Sequence, residues 1–303
     1  MLSRKNATLS GLVAIILWSS IIGLIRGVSE ALGATGGAAM VYTVATALLL
    51  ATAGWPRLRE MPRAYLAWGS LLFVSYELCL ALSIGYADSG QQAIEVGMVN
   101  YLWPTFTLLA AVAFNGQHAN ALVVPGALIS IAGICQVLGG EPGLDLPGML
   151  RNVQSNPLSY GLALAGALLW AAYCTLTARM ARGKNAITLF FLLTAAALWL
   201  KYLAQGGGAM HWDLPTGIQL ALAGAAMGVG YAAWNIGILH GNVTLLAGAS
   251  YFTPVLSAAL AAALLRVPLS PAFWLGAGMV CAGAVLCWLA TRTRIQAQPL
   301  RQG

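Results

Sequence analysis

The chain has 303 residues, of which 59% are hydrophobic and only 8% charged. A soluble domain carries roughly 25% charged residues, so water is excluded as the solvent for most of this surface. The net charge of +7 comes from Lys and Arg scattered between apolar runs, which argues against a nucleic-acid partner and for a topology signal in a lipid bilayer.

About 20 apolar residues cross the hydrocarbon as a helix. In chain order, ten stretches meet that length: 9–27, 34–54, 64–86, 91–114, 119–138, 158–180, 186–204, 216–239, 243–265 and 270–290. The runs are continuous rather than alternating, which excludes a β-barrel. The sequence therefore predicts an all-α membrane protein with ten transmembrane helices. Arg4 and Lys5 before the first run resemble a signal peptide, but that run has an internal counterpart and is expected to stay. The segment 139–157, rich in Gly and Pro, reads as a connector between two halves, residues 1–138 and 158–290, with 291–303 as a tail.

The halves match each other in order. Leu17-Trp18-Ser19-Ser20 matches Leu169-Trp170-Ala171-Ala172, Tyr101 and Pro104 match Tyr251 and Pro254, and Gly126 and Gly133 match Gly276 and Gly283. The last two sets share an offset of 150 residues. With the N-terminus in the cytoplasm, eleven of the 15 Lys and Arg fall on inside segments, leaving Arg26, Arg151, Lys201 and Arg266 outside. The positive-inside tendency then puts both termini in the cytoplasm and the connector in the periplasm. Five helices per half is an odd number, so the second repeat is inserted upside down, the architecture of alternating-access carriers with substrate held between repeats near the midplane.

Polar groups in hydrocarbon are costly and mark candidate sites. Glu77 and Glu95 are the acidic residues well inside predicted spans; each reads either as a proton or ammonium site or as a carboxylate bonded to a neighbouring helix. Trp18, Trp103, Trp170 and Trp234 sit deeper than the interfacial tryptophans, and with Tyr76, Tyr101, Tyr173, Tyr231 and Tyr251 they form a candidate cavity wall, with helix packing as the alternative. Pro104 and Pro254 occupy equivalent mid-span positions. Each proline frees the carbonyl four residues earlier, at Asn100 and Ser250, and is a candidate hinge. Asn235 is a candidate amide for a carboxylate. The five cysteines lie in apolar stretches, and no Cys or His spacing suits a metal, so neither a disulfide framework nor a metal or other cofactor is expected. No HExxH or Walker motif occurs, and Gly248-Ala249-Ser250-Tyr251 lacks the second glycine of a nucleophile elbow, so no enzyme is expected.

Two five-helix inverted repeats, a Leu-Trp pair opening each half and a Gly-x6-Gly helix closing each, resemble the drug/metabolite transporter superfamily of EamA type over nearly the whole chain. Within it, GYADSGQQAIEVGMVNYLWP (85–104) and GYAAWNIGILHGNVTLLAGASYFTP (230–254) are similar to the amino-acid exporters of bacterial inner membranes. The resemblance implies export of amino acids, aromatic ones included, from the cytoplasm. Many members carry Gly-Glu after the fourth and ninth helices; here those places read Asn115-Gly116-Gln117-His118 and Leu265-Arg266-Val267-Pro268, so no role of that glutamate carries over. Little fixed charge suits a zwitterion held by dipoles, with freed carbonyls for the ammonium and helix N-termini or amides for the carboxylate. A channel-like facilitator, and a membrane enzyme acting on lipid-linked substrates, are the other classes the composition permits.

Overall fold

The computed structural model describes residues 3–291. Among them are fourteen α-helices, one short 3-10 turn (Leu58–Glu60) and no strand. The first span is a pair, α1 (Arg4–Ser19) and α2 (Ile21–Leu32), bent by 40°. Nothing in the composition marks this break. Its cause is Ser20, whose hydroxyl donates to the Leu17 carbonyl at 2.7 Å, a back-bond that competes with the helix ladder and bends it.

The chain continues through α3 (Ala34–Thr52), α4 (Arg63–Gly85), α5 (Gly90–Asn100), α6 (Trp103–Asn115) and α7 (Val123–Leu138). The expected connector contains a helix, α8 (Leu146–Ser155), with Pro147 in its first turn, where a missing N–H costs nothing. The second half comprises α9 (Pro157–Met180), α10 (Ile187–Ala204), α11 (Leu214–His240), α12 (Val243–Ser250), α13 (Thr253–Leu265) and α14 (Pro271–Thr291). Seven helical segments are long and apolar enough to cross a membrane, the α5–α6 run counting as one, and the bent α1–α2 pair makes an eighth. The helices α7 and α13 are apolar but shorter.

Apolar side chains cover the outside as well as the core: Leu128 is 62% exposed and Leu200 69%. An apolar exterior of this extent marks contact with lipid, and the protein is a multi-pass, all-helical membrane protein.

Packing has a paired pattern. Helix α1 lies along α11, α9 lies along α4, and α3 lies along α10. The tightest seam joins α7 and α14 through small residues. A side chain on Gly126 would meet the Gly283 carbonyl at 2.9 Å, and one on Gly133 would meet the Gly276 carbonyl at 2.7 Å. Between them the Ser130 hydroxyl reaches the Val280 carbonyl at 3.5 Å. Rising numbers on α7 meet falling numbers on α14, so the two helices run antiparallel. In membranes such close backbone approach is a main source of helix association. Gly276→Ala puts a methyl 2.6 Å from the Gly133 carbonyl and is expected to destabilise the protein by about 1–3 kcal/mol. The readout is the apparent melting temperature in detergent; an unchanged value would mean the seam can part without cost.

Three short helices close one end of the bundle, because α2, α5 and α13 all pack on one another. Gly97 brings α5 onto Ile22 of α2, and Gly23 brings α2 onto Ala261 and Leu264 of α13. By contrast α12 packs closely against α1 and α11 alone among the described elements. On the opposite end from the triad, the Lys184 ammonium donates to Glu60 at 2.9 Å. That hydrogen bond, and then the charge of Lys184, hold the Glu60 carboxyl below its usual range. The contribution is present at neutral pH and is lost as acid protonates Glu60; between exposed groups it is small.

Candidate functional site

Aromatic rings from both halves meet in the middle of the bundle. Trp170 on α9 sits 4.6 Å from Tyr76 of α4, 5.2 Å from Tyr173 and 6.0 Å from Trp103, between ring centroids. Trp18 on α1 sits 5.1 Å from Tyr231 and 5.4 Å from Trp234 of α11. Phe73 and Phe191 bridge the two groups: Phe73 lies 6.2 Å from Trp170 and 6.3 Å from Tyr231, and Phe191 lies 5.3 Å from Tyr231. Tilted and edge-on contacts at these distances are the favourable geometries for aromatic pairs. Seven of the expected wall residues, Trp18, Tyr76, Trp103, Trp170, Tyr173, Tyr231 and Trp234, therefore fall in one connected set. Phe73 and Phe191 were not anticipated. A phenylalanine in an apolar run has no polar handle, and its role is visible only in the contacts.

Trp18 and Trp170 occupy matching places in the two halves, and each has a buried indole Nε1 without an acceptor among the described residues. Trp18 reaches its position because Gly230 has no side chain; a Cβ there would stand 2.7 Å from the indole nitrogen. A buried donor left unsatisfied is costly, and a bound acceptor relieves that cost.

Two expected wall residues lie elsewhere. Tyr251 stacks on Trp288, centroid to centroid 5.9 Å, and Tyr101 stands beside Ser257 of α13. Asn100 donates its amide to the Ala163 carbonyl of α9 at 3.3 Å, tying α5 to α9 where Gly166 lets it approach. The side chain of Asn235 lies outside the described residues.

The prolines correct a second expectation. Pro104 and Pro254 do not kink continuous helices; each stands in the first turn of a new one, α6 and α13, after a short break. A proline lacks the N–H needed mid-helix and fits the first turn, where that donor has no partner anyway. The Ser250 carbonyl accepts from the Thr253 hydroxyl at 2.6 Å, which takes one of its two lone pairs.

The two buried acids separate clearly. Glu95 is held by Gln91 at 3.0 Å, Asn152 at 2.7 Å and Tyr160 at 2.7 Å. These donors come from α5, α8 and α9, so Glu95 fastens the connector helix to the bundle. Glu77 lies among the rings, 1% exposed. It accepts from Tyr42 at 2.5 Å and from Tyr231 at 3.5 Å, and none of the ion pairs among the described residues involves it. A groove of about 570 Å³ lies elsewhere: it runs between α6 and α9, lined by Phe106, Phe114 and Leu176 with Arg179 among its lining. No group of His, Cys, Asp and Glu among the described residues is arranged for a metal.

Comparison with known proteins agrees with this picture. The model of the EamA-like transporter family matches residues 157–289. The chain is 58% identical to the aromatic amino acid exporter YddG of Escherichia coli K12, over 96% of this chain and 99% of that protein. It is 59% identical to the YddG of Salmonella typhimurium 14028s, over 97% and 100%. A third YddG, from Ancylobacter novellus, is 28% identical over 96% and 100%. A solved crystal structure superposes with a TM-score of 0.67 at 27% identity, over 95% of this chain and 98% of that one.

Proposed function

Because the chain belongs to the YddG family of EamA-like transporters, we propose that it exports aromatic and other neutral amino acids from the cytoplasm by alternating access. It is a transporter and not an enzyme. The observation that carries the substrate class is the ring set shared between the two halves, with Glu77 inside it. Flat rings of a substrate find edge and face partners there. The unsatisfied indole N–H groups of Trp18 and Trp170 suit a substrate carboxylate, and Glu77 suits its ammonium.

The architecture we propose is ten spans in two inverted repeats, with α1–α2, α5–α6 and α12–α13 each forming one span. The α7–α14 seam supports it. Gly126 meets Gly283 while Gly133 meets Gly276, and these are the same two positions at an offset of 150. Such reciprocity is what a two-fold axis produces. Since the helices run antiparallel, the axis lies across them, in the membrane plane, and the repeats are inverted. The reciprocal pairs α1–α11 and α9–α4 fit the same operator.

That symmetry is broken at the gates. The triad α2, α5 and α13 is packed, whereas α12, the counterpart of α5, does not pack closely on the counterparts of the other two. With both termini in the cytoplasm of an inner membrane, as the distribution of Lys and Arg favours, the packed triad faces the periplasm and the conformation is open to the inside. Purified protein in liposomes tests the function. Saturable phenylalanine flux, competed by other neutral amino acids, is expected. Flux linear in concentration would make it a channel-like facilitator, and conversion of a lipid-linked substrate without flux would make it an enzyme.

A further inference from the structure

Glu77, buried among the rings, has a chemical consequence beyond holding substrate. Glu77 is closed in by Tyr42 of α3, Tyr231 of α11 and its own neighbour Tyr76, with Phe191 of α10 stacked on Tyr42 and Tyr231. Tyr173 and Cys174 of α9 stand behind Tyr231. Of the charged groups on other helices packed against α4, Arg26 pairs with Glu30 at 2.8 Å and also donates to the Ala87 carbonyl, Glu95 is held by Gln91, Asn152 and Tyr160, and Arg179 and Lys201 stand in the last turns of α9 and α10. Among the described residues no ion pair balances Glu77. An isolated carboxylate does not persist in such surroundings; it takes up a proton or a mobile cation.

We propose that Glu77 couples export to protons, one for one, through competition between a proton and the substrate ammonium; this rests on the amino-acid export reading above. With the cavity empty the carboxyl is neutral. When a zwitterion enters from the cytoplasm, the carboxyl O–H breaks, its proton leaves to water, and an ammonium N–H donates to the resulting carboxylate. In either occupied form the Glu77 carboxyl is satisfied, by a proton or by the ammonium, while the substrate carboxylate rests on the indole N–H groups as the one net negative charge that the loaded form carries. The vacant carboxylate has no such partner. The gate therefore closes over one or the other, and never over the bare anion. After release to the periplasm a proton takes the vacated place, and the return step carries it inward. The Tyr42 hydroxyl, 2.5 Å away, positions the carboxyl in both forms by donating to its unprotonated oxygen.

The test uses the full chain in liposomes loaded with phenylalanine and a trapped pH dye, with voltage clamped by potassium and valinomycin. Phenylalanine efflux should acidify the lumen with one proton per molecule, and an imposed pH gradient should sustain about tenfold accumulation per pH unit. Glu77→Gln, a neutral mimic of the protonated carboxyl, should weaken phenylalanine binding and lose both the acidification and the accumulation, so that any flux it retains carries no protons. Tyr42→Phe should keep coupling and shift the midpoint of the pH profile of flux. Wild-type efflux without acidification, or full acidification by Glu77→Gln, overturns the inference. Should Glu77→Gln fail to fold, the wild-type and Tyr42→Phe measurements still decide it. If wild-type liposomes move no amino acid at all, the export reading falls and this inference with it; flux without protons overturns the inference alone.

Discussion

Trp170→Ala should slow phenylalanine transport about tenfold and threonine transport about twofold or less. Trp170 makes ring contacts with Tyr76, Tyr173, Trp103 and Phe73, more than any other expected wall residue, and it joins α4, α6 and α9 at one point. Each aromatic pair adds about 0.5–1.5 kcal/mol beyond area burial, and about 1.4 kcal/mol in transition-state stabilisation is tenfold in rate. A ring-bearing substrate loses such a partner, while threonine has no ring to lose. Because truncating a buried tryptophan also destabilises a protein by about 3–5 kcal/mol, Trp170→Phe serves as a control: it should recover most of the phenylalanine rate. The measurement is initial flux of each amino acid in liposomes, normalised to folded protein. Equal losses for phenylalanine and threonine in both Trp170→Ala and Trp234→Ala would place the side-chain pocket elsewhere.

Pro104→Ala is expected to slow turnover about tenfold while changing substrate affinity less than twofold, a split that places the loss in switching rather than binding. Tyr101 and Leu102, in the break before α6, already have near-helical backbone angles (φ −68°, ψ 7° and φ −72°, ψ −12°). One restored N–H bond to the Asn100 carbonyl is therefore enough to fuse α5 and α6 into a single stiff rod. Pro254→Ala should act in the same sense at the second break, since the Ser250 carbonyl can accept a restored N–H beside the Thr253 hydroxyl. Affinity is read by binding to detergent-solubilised protein and turnover by liposome flux. If Pro104→Ala folds and transports at the original rate, the break is a packing feature and the hinge idea is wrong.

The helical membrane class and the family were legible because both rest on long-range statistics: apolar runs of the right length, and matched motifs at one offset. What escaped was local. The bend at Ser20 depends on a single hydroxyl choosing its own helix, which no Gly or Pro announces. Helix α8 was hidden because Pro and Gly in 139–157 read as breakers, although Pro147 sits where a helix accepts proline. At the site, tyrosine and tryptophan drew attention through their polar ends, and the connected set also needs Phe73 and Phe191, which look like any core residue. In sequence Glu77 and Glu95 differ only in depth, Glu77 being the deeper and Glu95 nearer the start of its span. Their roles part only when donors are counted: three side chains drawn from three elements hold Glu95, whereas Glu77 has two tyrosines.

Two identical chains joined along the α7–α14 seam would present the same residue at both ends of each contact lying on the axis. A single fused chain is free of that rule, and Ser130 facing Val280 already departs from it. The same freedom reaches the cavity. Trp18 meets Tyr231 and Trp170 meets Tyr76, which matches Tyr76 with Tyr231 and Glu77 with Ala232, so one half carries the acid and the other a methyl. A pair of identical halves would face two carboxyls across one dry space, where like charges resist ionising together. Joining the halves into one gene removes the second carboxyl without touching the first. It also lets the two gates differ in chemistry, so that the rate of opening to each side can be tuned by substitutions in one half while the gradients set the net direction.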